Sequence, residues 1–359
     1  QYELRPFNIL DDVSGMLQLK EQLQYNFKNY TLSGGIEYLS DHYAWKILQH
    51  DGSETENSFE DRSQLNGFIH FNAKLSTKLQ INLAAVLHNN KYLRSGLSAD
   101  KTIFAPAITL QYRHSSIMQY FLNGGKGFSN PTVEESLGSD GRLNTQLRPE
   151  TGWSLDAGMK LQSIDQKIQL QLSAYQMWLN DLLVTRRPVE DVFYGENAGK
   201  CLLRGFETDF RYKPSEKINA GFTGSISQNT FTDFIHNNAD YTGNMLPGIP
   251  RIQATAYTQI VVLPLLTGTL FYRYTGRQFA DDANTVYIPS WQTIDVQLSS
   301  QFLILKKWRS NFTFCVKNVL NASYPSMILI NAPTFSNRPP RYYYSGLPRH
   351  INLNLQISI

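Results

Sequence analysis

From His350 to Ile359 every side chain alternates in character: His, Ile, Asn, Leu, Asn, Leu, Gln, Ile, Ser, Ile. Successive side chains of a strand point to opposite faces, so one face of this segment is apolar and the other polar. The same period of two recurs along the chain. Leu79, Ile81, Leu83, Ala85 and Leu87 oppose Gln80, Asn82 and His88. Ile168, Leu170, Leu172 and Ala174 oppose Gln169, Gln171 and Ser173. Phe206, Phe210 and Tyr212 oppose Glu207, Asp209 and Arg211, and Phe312, Phe314 and Val316 oppose Asn311, Thr313 and Cys315. Ile294, Val296, Leu298 and Phe302 oppose Asp295, Gln297, Ser299 and Gln301. A soluble sandwich turns such apolar faces inward; a membrane barrel turns them out to lipid and keeps a polar lumen.

The connections separate these architectures. About fifteen strand candidates are joined by turns of two kinds in alternation. Short ones fall at Asn26 to Asn29, Ser76-Thr77, His114 to Ser116, Ser163 to Gln166, Lys213 to Lys217, Leu263 to Leu266 and Leu305 to Arg309. Long ones fall at Gln49 to Asp61, Leu93 to Thr102, Ser129 to Glu150, Arg187 to Lys200, Thr230 to Gly248, Gln278 to Ile288 and Asn321 to Pro348. That rhythm gives an up-and-down antiparallel sheet with one plain end and one elaborate end. Greek-key sandwiches do not keep it. The expected fold is therefore all-β: an antiparallel up-and-down transmembrane β-barrel, with short turns in the periplasm and long loops outside.

Composition agrees. Twenty Tyr and twenty Phe among 359 residues suit the aromatic girdles of a barrel. The longest apolar run, Ile260 to Leu266, is far short of the roughly 20 residues of a spanning helix. A net charge of +3, with no basic stripe, implies no nucleic-acid partner. Cys201 and Cys315 have no short spacing, so neither a zinc site nor a disulfide framework is expected; they read as free, lumen-facing or loop thiols. Gln1 to Leu4 has neither the basic start nor the apolar core of a signal peptide, so the chain reads as mature or as a piece of something longer.

An odd strand count leaves edges unpaired, and in lipid each unsatisfied backbone group costs several kcal/mol. Counting back from the last long loop places Gln1 to Gly15 in an outside loop. Strands preceding Gln1 are therefore expected.

An ordered set of phrases goes beyond periodicity. Gly127-Phe128-Ser129-Asn130-Pro131-Thr132-Val133-Glu134-Glu135 is followed by Gly141-Arg142-Leu143-Asn144 and Leu147-Arg148-Pro149-Glu150-Thr151. Then come Asn197-Ala198-Gly199, Arg204-Gly205-Phe206-Glu207 and Leu246-Pro247-Gly248-Ile249-Pro250-Arg251. Last are Lys317-Asn318-Val319-Leu320-Asn321 with Tyr324, and Gly346-Leu347-Pro348-Arg349. From about Phe104 onward, and less distinctly before it, the chain resembles the barrel of TonB-dependent outer-membrane receptors. The resemblance implies a 22-stranded barrel holding an N-terminal plug, whose TonB box is pulled by an energised inner-membrane complex. It implies a large scarce nutrient as ligand: a ferric siderophore first, cobalamin or another nutrient second. Residues 1–359 then form one partial barrel domain without plug or early strands. The final Ile359 departs from the aromatic residue that usually ends such barrels.

Turn and bulge chemistry explains the residue types of these phrases, which are expected to shape the barrel and not to touch ligand. Pro250 suits a strand start, and Asn318 and Asn321 suit a capped turn. No nucleophile elbow, H-E-x-x-H, P-loop or calcium loop is present, so no enzyme, cofactor or metal is expected. The seven histidines are scattered. The resemblance implies that a haem receptor would carry a histidine in the loop after the Gly-Phe phrase, and none lies between Ser129 and Glu150, which argues against haem. Glu134-Glu135, Asp281-Asp282 and the acids Asp51, Glu54, Glu56, Glu60 and Asp61 read as solvated loop charges.

The most suggestive ligand-side residues are Arg338, Arg341, Tyr342 and Tyr343 in the segment Asn337 to Tyr344, joined by Arg186 and Arg187. Arginine offers charge and planar donors, tyrosine offers stacking and a hydroxyl, and together they suit an anionic, ring-bearing iron chelate. An interfacial aromatic belt is the alternative role for Tyr342 and Tyr344. A passive porin is the competing function of another class.

Overall fold

The computed structural model describes residues 2–4, 9–95, 102–138, 140–189, 192–304, 308–334 and 339–358. Sixteen strands form one antiparallel sheet in sequence order. They are β1 (Tyr2–Leu4), β2 (Ile9–Asn26), β3 (Tyr30–Leu48), β4 (Glu54–Lys74), β5 (Leu79–Tyr92), β6 (Thr102–Arg113), β7 (Met118–Ser129) and β8 (Glu150–Gln162). The series continues with β9 (Ile168–Asn180), β10 (Lys200–Ser215), β11 (Ile218–Asp233), β12 (Ile252–Leu263), β13 (Leu266–Thr275), β14 (Trp291–Ile304), β15 (Trp308–Lys317) and β16 (His350–Ser358). Fifteen are full strands; β1 is a three-residue stub. A short helix, α1 (Val133–Ser136), sits in the loop after β7.

The faces fall as the alternation requires. Leu353 is 67% exposed and Leu23 75%, with Ile36, Leu65, Ile69, Leu87, Phe206 and Ile226 exposed on the same outer surface. Exposed aliphatic side chains in such number are tolerable only against lipid. At the plain end Tyr25, Phe27, Tyr30 and Phe71 stack in series, with centroids 4.9, 4.2 and 5.9 Å apart, as an interfacial aromatic girdle does.

Close backbone approach explains one family phrase. Gly205 of β10 pairs with Tyr175 of β9 on one side and Ser227 of β11 on the other. A Cβ there would lie 2.7 Å from the Tyr175 hydroxyl and 2.8 Å from the Ile226 carbonyl oxygen. The tyrosine covers the bare backbone, which only glycine permits. Gly205→Ala is expected to cost about 1–3 kcal/mol by overpacking. Urea unfolding in detergent measures it, and an unchanged midpoint would show that Tyr175 swings aside freely.

Three expectations change. The segment Gln49 to Asp61 is not a loop: a five-residue turn closes a hairpin between β3 and β4, and strand resumes at Glu54. β2, β3 and β4 run 18, 19 and 21 residues, far more than the 9–11 or so that span a bilayer, so this hairpin stands well clear of the membrane. Nor is Gln1 to Gly15 a loop throughout, because β2 begins at Ile9 and β1 pairs with Ile9 to Asp11. The local pattern hides this: from Glu54 to Gln64 the β4 arm is polar on both faces apart from Phe59, which is how a strand above the membrane reads. Pro250 precedes its strand by two residues and is buried in the loop instead.

Apolar cores are small and lie under the outer loops. One joins Leu10, Trp45, Ile47, Tyr92, Val133 and Leu137; the other joins Ala198, Cys201, Phe231, Phe234 and Leu246. Both cysteines are free and buried. Among the described residues the sheet is open: β1 covers only the start of β2, and β16 pairs with β15 alone.

Candidate functional site

The outer loops are stitched to one another across the mouth. Residues 130–149 form the first span. Thr132 caps α1, accepting from the Glu135 amide at 3.0 Å while the Glu135 carboxylate accepts from the Thr132 amide at 2.8 Å. This reciprocal capping box assigns Glu135 a structural job. The Pro131 carbonyl takes hydrogen bonds from Tyr92 and Arg62, and Trp45 donates to the Gly141 carbonyl at 2.9 Å. On the other side Asn144 donates to the Gly195 carbonyl and the Arg148 amide to Asn197, both at 2.9 Å. Glu150 accepts from the Leu183 amide, Pro149 is buried, and Phe128 packs on His88 with centroids 4.6 Å apart. Gly127 pairs with Gly152 inside the β7–β8 ladder.

The next span is the hairpin of Leu183–Val189 and Val192–Asn197. From it Arg186 reaches Glu196 at 3.0 Å and Asp282 at 2.6 Å, with its guanidinium 5.2 Å from the Phe234 ring centroid. Its side chain is only 8% exposed. Asp282 also accepts from Asn331 at 3.0 Å, and Asn244 donates to its carbonyl at 2.8 Å. His236 lies 2.9 Å from Glu196. Four loops thus meet at one buried guanidinium. Gly248, at φ +76°, donates to the Phe279 carbonyl beneath Ile330, which tightens the Pro247-Gly248 turn against its neighbour.

The last loop is pinned by Asn318 and Asn321, both in the left-handed region at φ 49° and 52°, which asparagine tolerates. Asn318 donates to the Ala322 and Leu347 carbonyls and accepts from the Ala322 amide, while its own amide reaches Asp295 at 2.8 Å. Asn321 accepts from the Arg349 amide at 2.9 Å, the Pro348 carbonyl accepts from His350, and Tyr324 packs on Trp291 at 5.0 Å. Glu207 lines the lumen wall, and the Arg251 carbonyl accepts from Ser227.

The six arginines and tyrosines singled out in the sequence part company here. Arg186 is a loop clamp whose charge two carboxylates match through Nε and Nη1, while its Nη2 is buried without a hydrogen-bond partner among the described residues. Arg338 lies outside the described residues, as does the side chain of Arg187. Arg341 is exposed, its guanidinium 5.5 Å from the Tyr344 ring centroid, and Tyr343 beside it is exposed. Tyr342 is half-buried; burial raises its pKa, with the Asp281 carboxylate adding, so the phenol stays a neutral donor. Arg277, which the sequence did not suggest, is exposed between Phe279 and Tyr287 at 5.9 and 5.5 Å. Its neighbour in sequence, Phe279 two positions on, was the available sign.

Two acidic readings are corrected. Asp282 is buried in the Arg186 clamp and not solvated. Glu60 is 1% exposed and accepts the Arg94 and Ser95 amides at 2.9 and 2.8 Å, while Asp61 lies 2.7 Å from His42. Their partners sit elsewhere along the chain, where a run of acids gives no hint of them.

An up-and-down sheet with an apolar outer surface, a polar inner wall and loops gathered at one end defines the wall of an outer-membrane β-barrel. The TonB dependent receptor-like, beta-barrel family matches residues 4–321, and the chain belongs to it. Its members are receptors of the outer membrane, not enzymes. The probable TonB-dependent siderophore receptor PiuA of Acinetobacter baumannii is 26% identical over 182 residues, 48% of this chain and 23% of that protein. The ferrichrome outer membrane transporter/phage receptor of Escherichia coli is 23% identical over 193 residues, 52% of this chain and 24% of its own length. The crystal structure of PiuA superposes with a TM-score of 0.71 at 14% identity, over 97% of this chain and 56% of that one. The chain thus spans about half the length of the solved chain it matches, and the matched stretches cover about a quarter of the curated relatives.

Proposed function

We propose that this chain supplies the later strands and outer loops of a plugged, TonB-dependent receptor that takes up a ferric siderophore. The family match over residues 4–321 carries the reading. Relatives named for a siderophore and for ferrichrome support the ligand class. Among the described residues the sheet has two unpaired edges, which supports further strands outside residues 1–359, since unpaired backbone in lipid is costly. Arg341 and Tyr343 then face the arriving chelate, offering charge and a ring at a mouth whose loops are already fixed in place.

The test uses the whole receptor isolated from its native outer membrane and a panel of ferric hydroxamates and catecholates. Saturable binding of one of them is the expected result. Arg341→Ala is expected to weaken it by about tenfold, the worth of one charge-assisted hydrogen bond, without lowering the folded fraction. Unchanged binding would remove Arg341 from the site. Ligand-independent conductance in planar bilayers, with no binding of any chelate, would replace the reading with a porin.

A further inference from the structure

At the plain end of the lumen two recesses, of about 580 and 310 Å³, share Arg113 and Gln119 and so form one trough along the inner wall. Lys74 at the end of β4, Lys78 in the following turn and Arg113 at the end of β6 line one half. Lys160 of β8 and Arg211 of β10 line the other. The remaining walls are mostly glutamine and serine, with Leu79, Ile117, Met118, Leu161 and Leu170 between them.

The charge balance is one-sided. Asp209 is the one carboxylate lining the trough among the described residues, and Arg211 holds it at 3.2 Å. Lys74, Lys78 and Arg113 have no ion pair among the described residues. The turn lysines close by are neutralised locally, Lys167 by Asp165 at 3.1 Å and Lys213 by Glu216 at 2.8 Å. Towards the mouth the same wall is acidic, and its carboxylates have donors: Glu37 takes Asn66 at 3.1 Å, Asp41 takes Arg62 at 2.6 Å and Asp156 takes Asn123 at 3.0 Å. Unpaired positive charge is therefore concentrated at the periplasmic end, on a wall that faces inward.

We propose that this trough receives an acidic segment of the plug, whose carboxylates pair with Lys74, Lys78, Arg113 and Lys160. The proposal rests on the plugged-receptor reading above. Its occupant must come from inside the barrel, because the trough opens to the lumen. The matched solved chains extend well beyond this one, which covers 56% of one of them, so polypeptide to fill the lumen is expected outside residues 1–359. Carboxylates satisfy both the charge and the amide donors of the wall, whereas an apolar segment would leave both without partners. Charge complementarity also fixes register, so the trough orients the plug with its acidic segment toward the periplasm.

Zero-length carbodiimide coupling tests this in the full-length receptor in native outer membranes, because it joins a lysine amine only to a carboxylate in contact. Peptide mass spectrometry is expected to find Lys78 and Lys160 coupled to Asp or Glu outside residues 1–359. Lys78→Gln and Lys160→Gln should each delete their own product. The double reversal Lys78→Glu with Arg113→Glu should cut coupling through Lys160 by about tenfold or more, since opposed like charges cost several kcal/mol. Coupling confined to this chain's own acids, in a receptor that still imports its ferric chelate, would overturn the proposal and leave the transport reading standing. Coupling as expected in a receptor that imports no ferric chelate would overturn the ligand class alone.

Discussion

Replacing Arg186 by alanine is expected to destabilise the outer-loop assembly by about 3–5 kcal/mol, because it leaves the buried Asp282 carboxylate without a counter-charge. Asp282 is 7% exposed and Arg186 is its ion-pair partner; among the described residues Glu196 keeps His236. The effect should be local. Amide hydrogen exchange in residues 183–197 and 276–290 should rise, while the membrane strands keep their protection. A joint Arg186→Met, Asp282→Leu, Glu196→Gln variant should recover much of the loss, since replacing a buried ion pair with apolar side chains is often neutral. Unchanged exchange in Arg186→Ala would show that the clamp does not hold the loops. Unchanged exchange with lost chelate binding would return Arg186 to the ligand.

Leu353→Arg is the second large effect. Leu353 sits mid-strand in β16 on the lipid face and is 67% exposed. Arginine near the bilayer midplane costs about 2–4 kcal/mol on such a face. The neighbouring Asn352→Arg, on the lumen side, should be far milder. Folding into lipid vesicles, read by the heat-dependent shift of the barrel band on gels, compares the two. An unaffected folded fraction for Leu353→Arg would mean that the faces are inverted.

Both predictions draw on the same structure, yet only the second was readable beforehand. The faces of β5, β9, β10, β14, β15 and β16 follow from residues two positions apart, so a strand's own sequence contains them. Short and long connections are equally local, and Asn318 and Asn321 announce a turn by residue type. Where the β3–β4 hairpin leaves the membrane the β4 arm is not legible in the sequence, because strand without an oil-facing side loses the alternation that marks it.

The fate of the loop charges was not readable at all. Arg186 and Asp282 lie 96 positions apart, and nothing near either one distinguishes a buried clamp from a solvated charge. Glu60 and Asp282 read as surface acids until the strands and loops that cover them are in place. By itself, then, the sequence determined the sheet, its lipid face and the end that bears the loops, since period and turn length depend on neighbours along the chain. Only the tertiary structure decided which arginines are spent on holding loops and which remain free at the mouth or in the lumen, because burial and pairing depend on residues that the fold brings together from far apart.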